Sequence, residues 1–399
     1  MKKNLDVNSM VTLSKTLSEI VLPITKNFNY DNLKACDKLK LIELANKNFM
    51  NFALYQGLVK NRLEKYFTDE ELNYLQEFYN LNKQRNTDFI NELRGVIADL
   101  NRCGIEPVLL KGAVALADNW YSGMGARFMR DIDFLVPENQ VEEAYKILKG
   151  IGYQEVHEED DDHTYNDGHH HCPALQKPYS ALVIEIHSKP LSTKTRGVLN
   201  SQQVLSEKKW AYNLNLGRCY IPSPTHCLLI AIMHTEISHG HRDRGVLSLR
   251  HAMDVARILE KYNDIDLSRI ESQLISYGFK GLFSSYLFVL NNFFNIAGHQ
   301  GYISKISGHD EYLNQVLNTM SKARSINRYK FDFYKNITTN SFSKDRISSR
   351  YRVINPLSIN LYRVVNLVRL IFKYSDRSNW EVKSRIIESE TSVARFIGK

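Results

Sequence analysis

The sequence predicts an α/β core set between two helical regions. Short apolar runs alternate with amphipathic stretches from 106 to 190, apolar positions recur every three or four residues before that segment, and helical spacing returns from 222 onward. The regions are read as 1–105, helical; 106–220, α/β; and 221–399, helical. A length of 399 residues agrees with more than one lobe, and 43% hydrophobic content is that of a core-forming protein rather than a disordered or collagen-like one.

In the N-terminal region, "FTDEELNYLQEFYNLNKQRNTDFINELRGVIADLNRCG" has helical spacing, as one long helix or two joined ones. Thr68 is the expected N-cap with Glu71 three residues on, and Gly104 the expected stop. In the core, "IEPVLLKG" reads as a strand closed by Lys111-Gly112, "AVALADNWY" as a helix and "SGMGAR" as a loop. "DIDFLV" is the second strand, and "NQVEEAYKILKGIG" a helix ending at Gly150 or Gly152. "ALVIEIHSKP" is a third strand with period-two alternation. The C-terminal region opens with "IPSPTHCLLIAIMH", where Ser223 can cap and Pro224 takes the first helical position. "GLFSSYLFVLNNFFNIAG" at 281–298 is broken by Asn291, Asn292 and Asn295 and reads as a buried helix rather than a membrane span.

Five scattered cysteines, without a CxxC pair, disfavour a zinc ribbon and a secreted disulfide framework and suit a reducing cytoplasm. The N-terminus lacks the apolar run of a signal peptide. A net charge of +8 is compatible with an anionic substrate or partner.

"RFMRDIDFLV" carries the chemistry. Side chains alternate along a strand, so Asp131 and Asp133 project from one face about 7 Å apart. Two such carboxylates in an apolar strand are unstable together without a cation, and a hard divalent ion suits oxygen ligands. Glu185, in the next apolar strand, completes a three-carboxylate cluster if the two strands are neighbours, and His187 shares its face. Lys111 and Gly112 lie between a strand and a helix, where phosphates bind to free backbone N–H groups. Arg127 and Arg130 stand just before the aspartates, suited to a triphosphate or leaving pyrophosphate. A DxD pair alone more often caps or turns the chain; the order of motifs is the specific signal.

On these residues, 106–190 resembles the nucleotidyltransferase fold of the DNA polymerase β-like superfamily, most closely an uncharacterised bacterial branch with "LLKG(A)…R…D(I/L)D(L/F)LV…E(I)H". The likeness extends more weakly to the helices before it and to "MHTEISHGHRDRGVLSLRHAMDVARIL" after it. The resemblance implies an α+β core with a small mixed sheet and a Mg²⁺-dependent transfer, with Mn²⁺ as the alternative ion. A nucleoside monophosphate would move from an NTP to an acceptor hydroxyl, with pyrophosphate released. Asp131 and Asp133 would be the metal-binding pair, and Glu185 the third acid, a base or further metal ligand. Gly112-Ala113 stands where members commonly have Gly-Ser, leaving Lys111 to substitute for the missing hydroxyl, and the interval to Asp131 is longer than usual. A small molecule or a protein is the expected acceptor. Nucleic acid is disfavoured because basic and aromatic residues are not interleaved. A metal-dependent phosphohydrolase and a degenerate nucleotide-binding or scaffold protein are the alternatives.

His234, His239, His241, Arg250 and Asp254 read as a helix–helix hydrogen-bond network, or else as lining of an acceptor pocket, to which His187, His234 and Asp254 are assigned. "HEEDDDHTYNDGHHHC" at 157–172 reads as a solvated loop, or as a flap with one histidine reaching the site. The basic amphipathic stretch 358–377 is expected to pack on the protein, with peripheral membrane contact as the alternative.

Overall fold

The strand at 131–135 lies at the centre of everything that follows, because its two ordered neighbours bring the functional groups to it. The computed structural model describes residues 7–22, 28–156, 171–178, 180–192, 194–294, 296 and 298–321, all within one structural unit. The stretch 358–377 lies outside the described residues, as do 157–170 of the acidic, histidine-rich segment.

Seven strands form one mixed sheet: β1 (Val108–Leu109), β2 (Asp131–Leu135), β3 (Gln154–Glu155), β4 (Leu175–Gln176), β5 (Val183–His187), β6 (Lys209–Trp210) and β7 (Tyr220–Ile221), in the order β3-β4-β5-β2-β1-β7-β6. β2 runs parallel to β5 and antiparallel to β1, and β1 is parallel to β7. Ile132, Phe134, Ile184 and Ile186 are fully buried, so one face of β2 and β5 is committed to the core and the alternate residues are left to the site. The sequence anticipated β1, β2 and β5. The other four strands are two residues each, too short to show a period.

The N-terminal pattern is one helix, Asp69–Arg102, with a full capping box: the Glu71 N–H donates to Thr68 Oγ1 at 3.3 Å, and the Thr68 N–H to Glu71 Oε2 at 2.9 Å. It stops at Arg102, with Gly104 at φ +75°. Mid-helix, Asn82, Arg85 and Asn86 are buried, and they point at the loop before β2. Asn82 Nδ2 donates to the Gly125 carbonyl at 2.7 Å, Asn86 Nδ2 to the carbonyls of Met124 at 2.7 Å and Arg127 at 2.8 Å, and Arg85 to that of Met129. The loop presses so close that a Cβ on Gly125 would meet the Tyr79 carbonyl oxygen at 2.8 Å, which is why "SGMGAR" carries glycine there.

Helix Pro224–Met233 begins as expected with Pro224 first, but Ser223 makes no side-chain cap; its hydroxyl reaches Glu207 Oε2 at 3.4 Å. The helix runs into a π-helical turn, His234–Ser238, and Gly240 at φ +61° redirects the chain to helix Leu249–Lys261. The apolar stretch after 281 forms the buried helix Leu282–Phe293, and no helix among the described residues is long and apolar enough to cross a membrane.

Candidate active site

β2 and β5 pair in parallel with Asp131 opposite Val183, Asp133 opposite Glu185 and Leu135 opposite His187. That register brings Asp133, Glu185 and His187 together, with one ligand atom from each lying within 4.8 Å of the others. Lys111 Nζ donates to Asp133 Oδ1 at 2.5 Å, His187 Nε2 meets the same oxygen at 2.8 Å, and His187 Nε2 lies 3.5 Å from Glu185 Oε2. Lys111 reaches this position from the first residue of helix Lys111–Ala117, and it carries the left-handed backbone, φ +49°, that glycine ordinarily takes. Such a conformation costs a non-glycine residue about 1–2 kcal/mol, so the turn's distinctive residue is Lys111 rather than Gly112.

Charge balance explains the pairing. Burial alone would raise the Asp133 carboxyl; the Lys111 ammonium and the His187 bond outweigh it and hold the group well below the usual carboxylate range. Burial would lower Lys111 and His187, and the neighbouring carboxylates reverse that for both. Asp131 lies one step nearer the strand's open end, outside the three-residue group. Burial and the charges of Asp133 and Glu185 push it up to about 6, against the pull of Lys111 and Arg130. Three acids thus face one ammonium and one imidazole, a set that a divalent cation would balance. Two carboxylates and one imidazole suit Mn²⁺ as well as Mg²⁺.

Lys111, Asp131, Asp133 and Glu185 line a cavity of about 390 Å³; fully buried His187, expected in its lining, is not among the lining residues and instead supports Asp133. The sheet contributes Asp131, Asp133 and Glu185, the start of helix Lys111–Ala117 contributes Lys111 and Gly112, and the segments after β7 contribute His234, His239, Arg250, His251 and Asp254. His234 Nε2 and His239 Nε2 are 2.9 Å apart, so one donates and the other accepts. Burial, and then the Lys111 charge, lower both below the ordinary histidine range, which keeps the pair neutral. His241 is lowered to about 4 by burial and His239.

The two arginines before β2 part company. Arg130 is exposed at the cavity rim, whereas Arg127 is 4% exposed and locked on Asp254, with Nε 2.9 Å from Oδ1 and Nη2 2.6 Å from Oδ2. Tyr121 donates to Asp254 Oδ1 at 2.8 Å. Asp254 therefore belongs to a helix–loop network that also lines the cavity, and its partner is Arg127 rather than Arg250 one turn before it. Of 157–172, residues 171 and 172 are described: His171 bridges His187 and lines the cavity, and the Cys172 N–H donates to the Ile186 carbonyl at 2.9 Å.

Sequence reasoning placed His187 in the pocket without seeing it as a ligand, although its position two residues after Glu185 on one strand face carried that signal. His239 and Arg250, read as a helix–helix network or else as pocket lining, do line the cavity, and His251 had been given no site role; nothing in a helical pattern tells which polar face meets a cavity formed by distant strands. All five cysteines are free thiols, and burial raises that of Cys227, which lines the cavity.

A family model described as an uncharacterised nucleotidyltransferase matches residues 35–295, about two-thirds of the chain. No curated protein and no solved structure matches. The chain belongs to this uncharacterised nucleotidyltransferase family.

Proposed function

We propose that this family member transfers a nucleoside monophosphate from an NTP to a hydroxyl on a small molecule or a protein, releasing pyrophosphate. The observation that carries the reading is the register of β2 against β5, which juxtaposes Asp133, Glu185 and His187 beside Lys111, with Lys111, Asp133 and Glu185 on the wall of a cavity.

A divalent ion, Mg²⁺ or Mn²⁺, would neutralise phosphate charge when bound. Asp133, Glu185 and His187 have the donor set for it, and Asp131 adds a second carboxylate on the same strand face. Lys111, which neutralises Asp133 here, would offer its ammonium to the phosphates with a divalent ion on Asp133, and exposed Arg130 would offer a guanidinium at the rim. Gly112 lets the chain pass close, since a Cβ there would stand 3.3 Å from Met129 Cγ. Arg127 serves by fixing the loop before β2 to Asp254. In the reaction the acceptor oxygen bonds to the α-phosphorus while the bond from that phosphorus to the β-phosphate bridging oxygen breaks. The acceptor proton passes to Glu185, whose side chain is 21% exposed and thus open to substrate. Catalysis is positioning and charge neutralisation. Free thiols and the missing disulfide pattern fit action in a reducing cytoplasm.

The test is product analysis with α-labelled NTP and candidate acceptors. Label on the acceptor with pyrophosphate released supports the transfer, and its loss in Glu185→Gln assigns the site. Orthophosphate release without an acceptor would instead identify a metal-dependent phosphohydrolase.

A further inference from the structure

Arg250 is the cavity's unassigned cation. It sits on the second residue of helix Leu249–Lys261, lines the cavity, and has its guanidinium over the Phe49 ring at 5.5 Å. One Nη2 donor meets His251 Nε2 at 3.3 Å, so that nitrogen accepts and His251 is neutral. Among the described residues Arg250 forms no ion pair. The carboxylate one helical turn away, Asp254, is engaged by Arg127 and Tyr121. A guanidinium has five donors in a planar fork, and removing its charge from water without an acid partner is costly. Burial and the charge of Arg127 accordingly press Arg250 down to about 9, with Asp254 and Asp131 compensating only in part. His239 lines the same cavity, its ring 6.5 Å from that of His251. A half-buried fork of donors, lining a cavity and resting on an imidazole and a phenyl ring rather than a carboxylate, has the chemistry of a receptor for a planar or tetrahedral oxyanion.

We infer that Arg250, with His251 beside it and His239 on the same cavity wall, receives an oxyanion of a substrate bound in this cavity: a phosphate or carboxylate group. The site rests on the nucleotidyl-transfer reading only for the source of that group, which is either the NTP's phosphate tail or an anionic group on the acceptor. In the second case the acceptor is a phosphorylated or carboxylated molecule.

The experiment is calorimetry on the full chain, wild type and Arg250→Gln, with Arg250→Lys as the variant that retains charge and packing and a thermal melt to confirm folding. The titrants are Mn²⁺, ATP with Mg²⁺, inorganic pyrophosphate, and orthophosphate added to ATP-loaded protein. A loss of at least tenfold in ATP and pyrophosphate affinity in Arg250→Gln, with Mn²⁺ binding intact and partial recovery in Arg250→Lys, supports the receptor and assigns it to the NTP tail. Unchanged ATP affinity with a tenfold loss of orthophosphate binding supports the receptor and assigns it to the acceptor. If wild type binds no NTP yet binds orthophosphate in an Arg250-dependent way, the receptor stands and the transfer reading fails. Equal affinities for all of these anions in folded wild type and Arg250→Gln, or no anion bound by wild type, overturn the inference.

Discussion

Lys111 shows how one side chain can serve two states of a site. With its ammonium 2.5 Å from Asp133 Oδ1, it stands where a metal ion would find its carboxylate ligand. Replacing it by Met leaves the buried Asp133 short of a positive partner. Lys111→Met should therefore bind Mn²⁺ alone at least tenfold more tightly than wild type, while its affinity for NTP falls; calorimetry reads both, and unchanged Mn²⁺ affinity would refute the exchange. Asp254 gives a stability counterpart. Asp254→Asn leaves Arg127 buried without its bidentate partner, a change expected to cost about 3–5 kcal/mol, readable by urea unfolding. The pairing of Arg127 was not legible in the sequence, because its partner lies 127 positions away and a closer arginine, Arg250, has the helical spacing to claim Asp254. Asp131, Asp133 and Glu185 stood out in the sequence because period-two alternation makes a charge in an apolar strand conspicuous, and Lys111 because it closes a strand at the start of a helix.

At the scale of elements, the site depends on how a loop and a π-helical turn are fixed. Asn86 holds the carbonyls of Met124 and Arg127, the second of which also accepts from Asn82 Nδ2 at 3.3 Å, so Asn86→Ala should leave the Met124 carbonyl without its donor at about 1–3 kcal/mol and speed amide exchange across 124–130. Exchange unchanged in that loop would show the anchor to be dispensable. The π-turn carries Glu236, 1% exposed, which accepts from Tyr312 Oη at 2.7 Å with Arg242 nearby. Burial raises its carboxyl to about 7, while Tyr312 and Arg242 pull it down. From the unfolded value near 4.3 up to about 7, the unfolded chain releases this proton while the folded chain keeps it. The unfolded state then binds fewer protons, and stability falls as pH rises through that window, by at most about 4 kcal/mol. Glu236→Gln should match wild type near pH 4 and exceed it near pH 8 in urea unfolding; parallel pH profiles would contradict the assignment. Asn82, Arg85 and Asn86 look in sequence like a solvated helix face, and only the packing of the loop turns them inward.

For the whole molecule, the helices on either side of the sheet are part of the site rather than appendages. Asp69–Arg102 supplies the anchors of the 124–129 loop, and Leu249–Lys261 supplies Asp254, Arg250 and His251 to the cavity. The fold class could be read from the change of period at 106 and 222, yet this interdependence could not, because contacts between segments far apart in sequence leave no local pattern. The segment 106–220 expressed alone should lack the cooperative unfolding transition of the full chain, and a sharp transition in that fragment would contradict this dependence.

On the reading proposed above, the β2–β5 carboxylates form a working metal and nucleotide site. Its most direct test is calorimetric NTP binding with and without Mg²⁺ on wild type, Asp133→Asn and the less buried Glu185→Gln. Binding by wild type that needs the metal and is lost or weakened at least tenfold in both folded variants is the expected result. Binding that ignores the metal, or that survives unchanged in both variants, would contradict it.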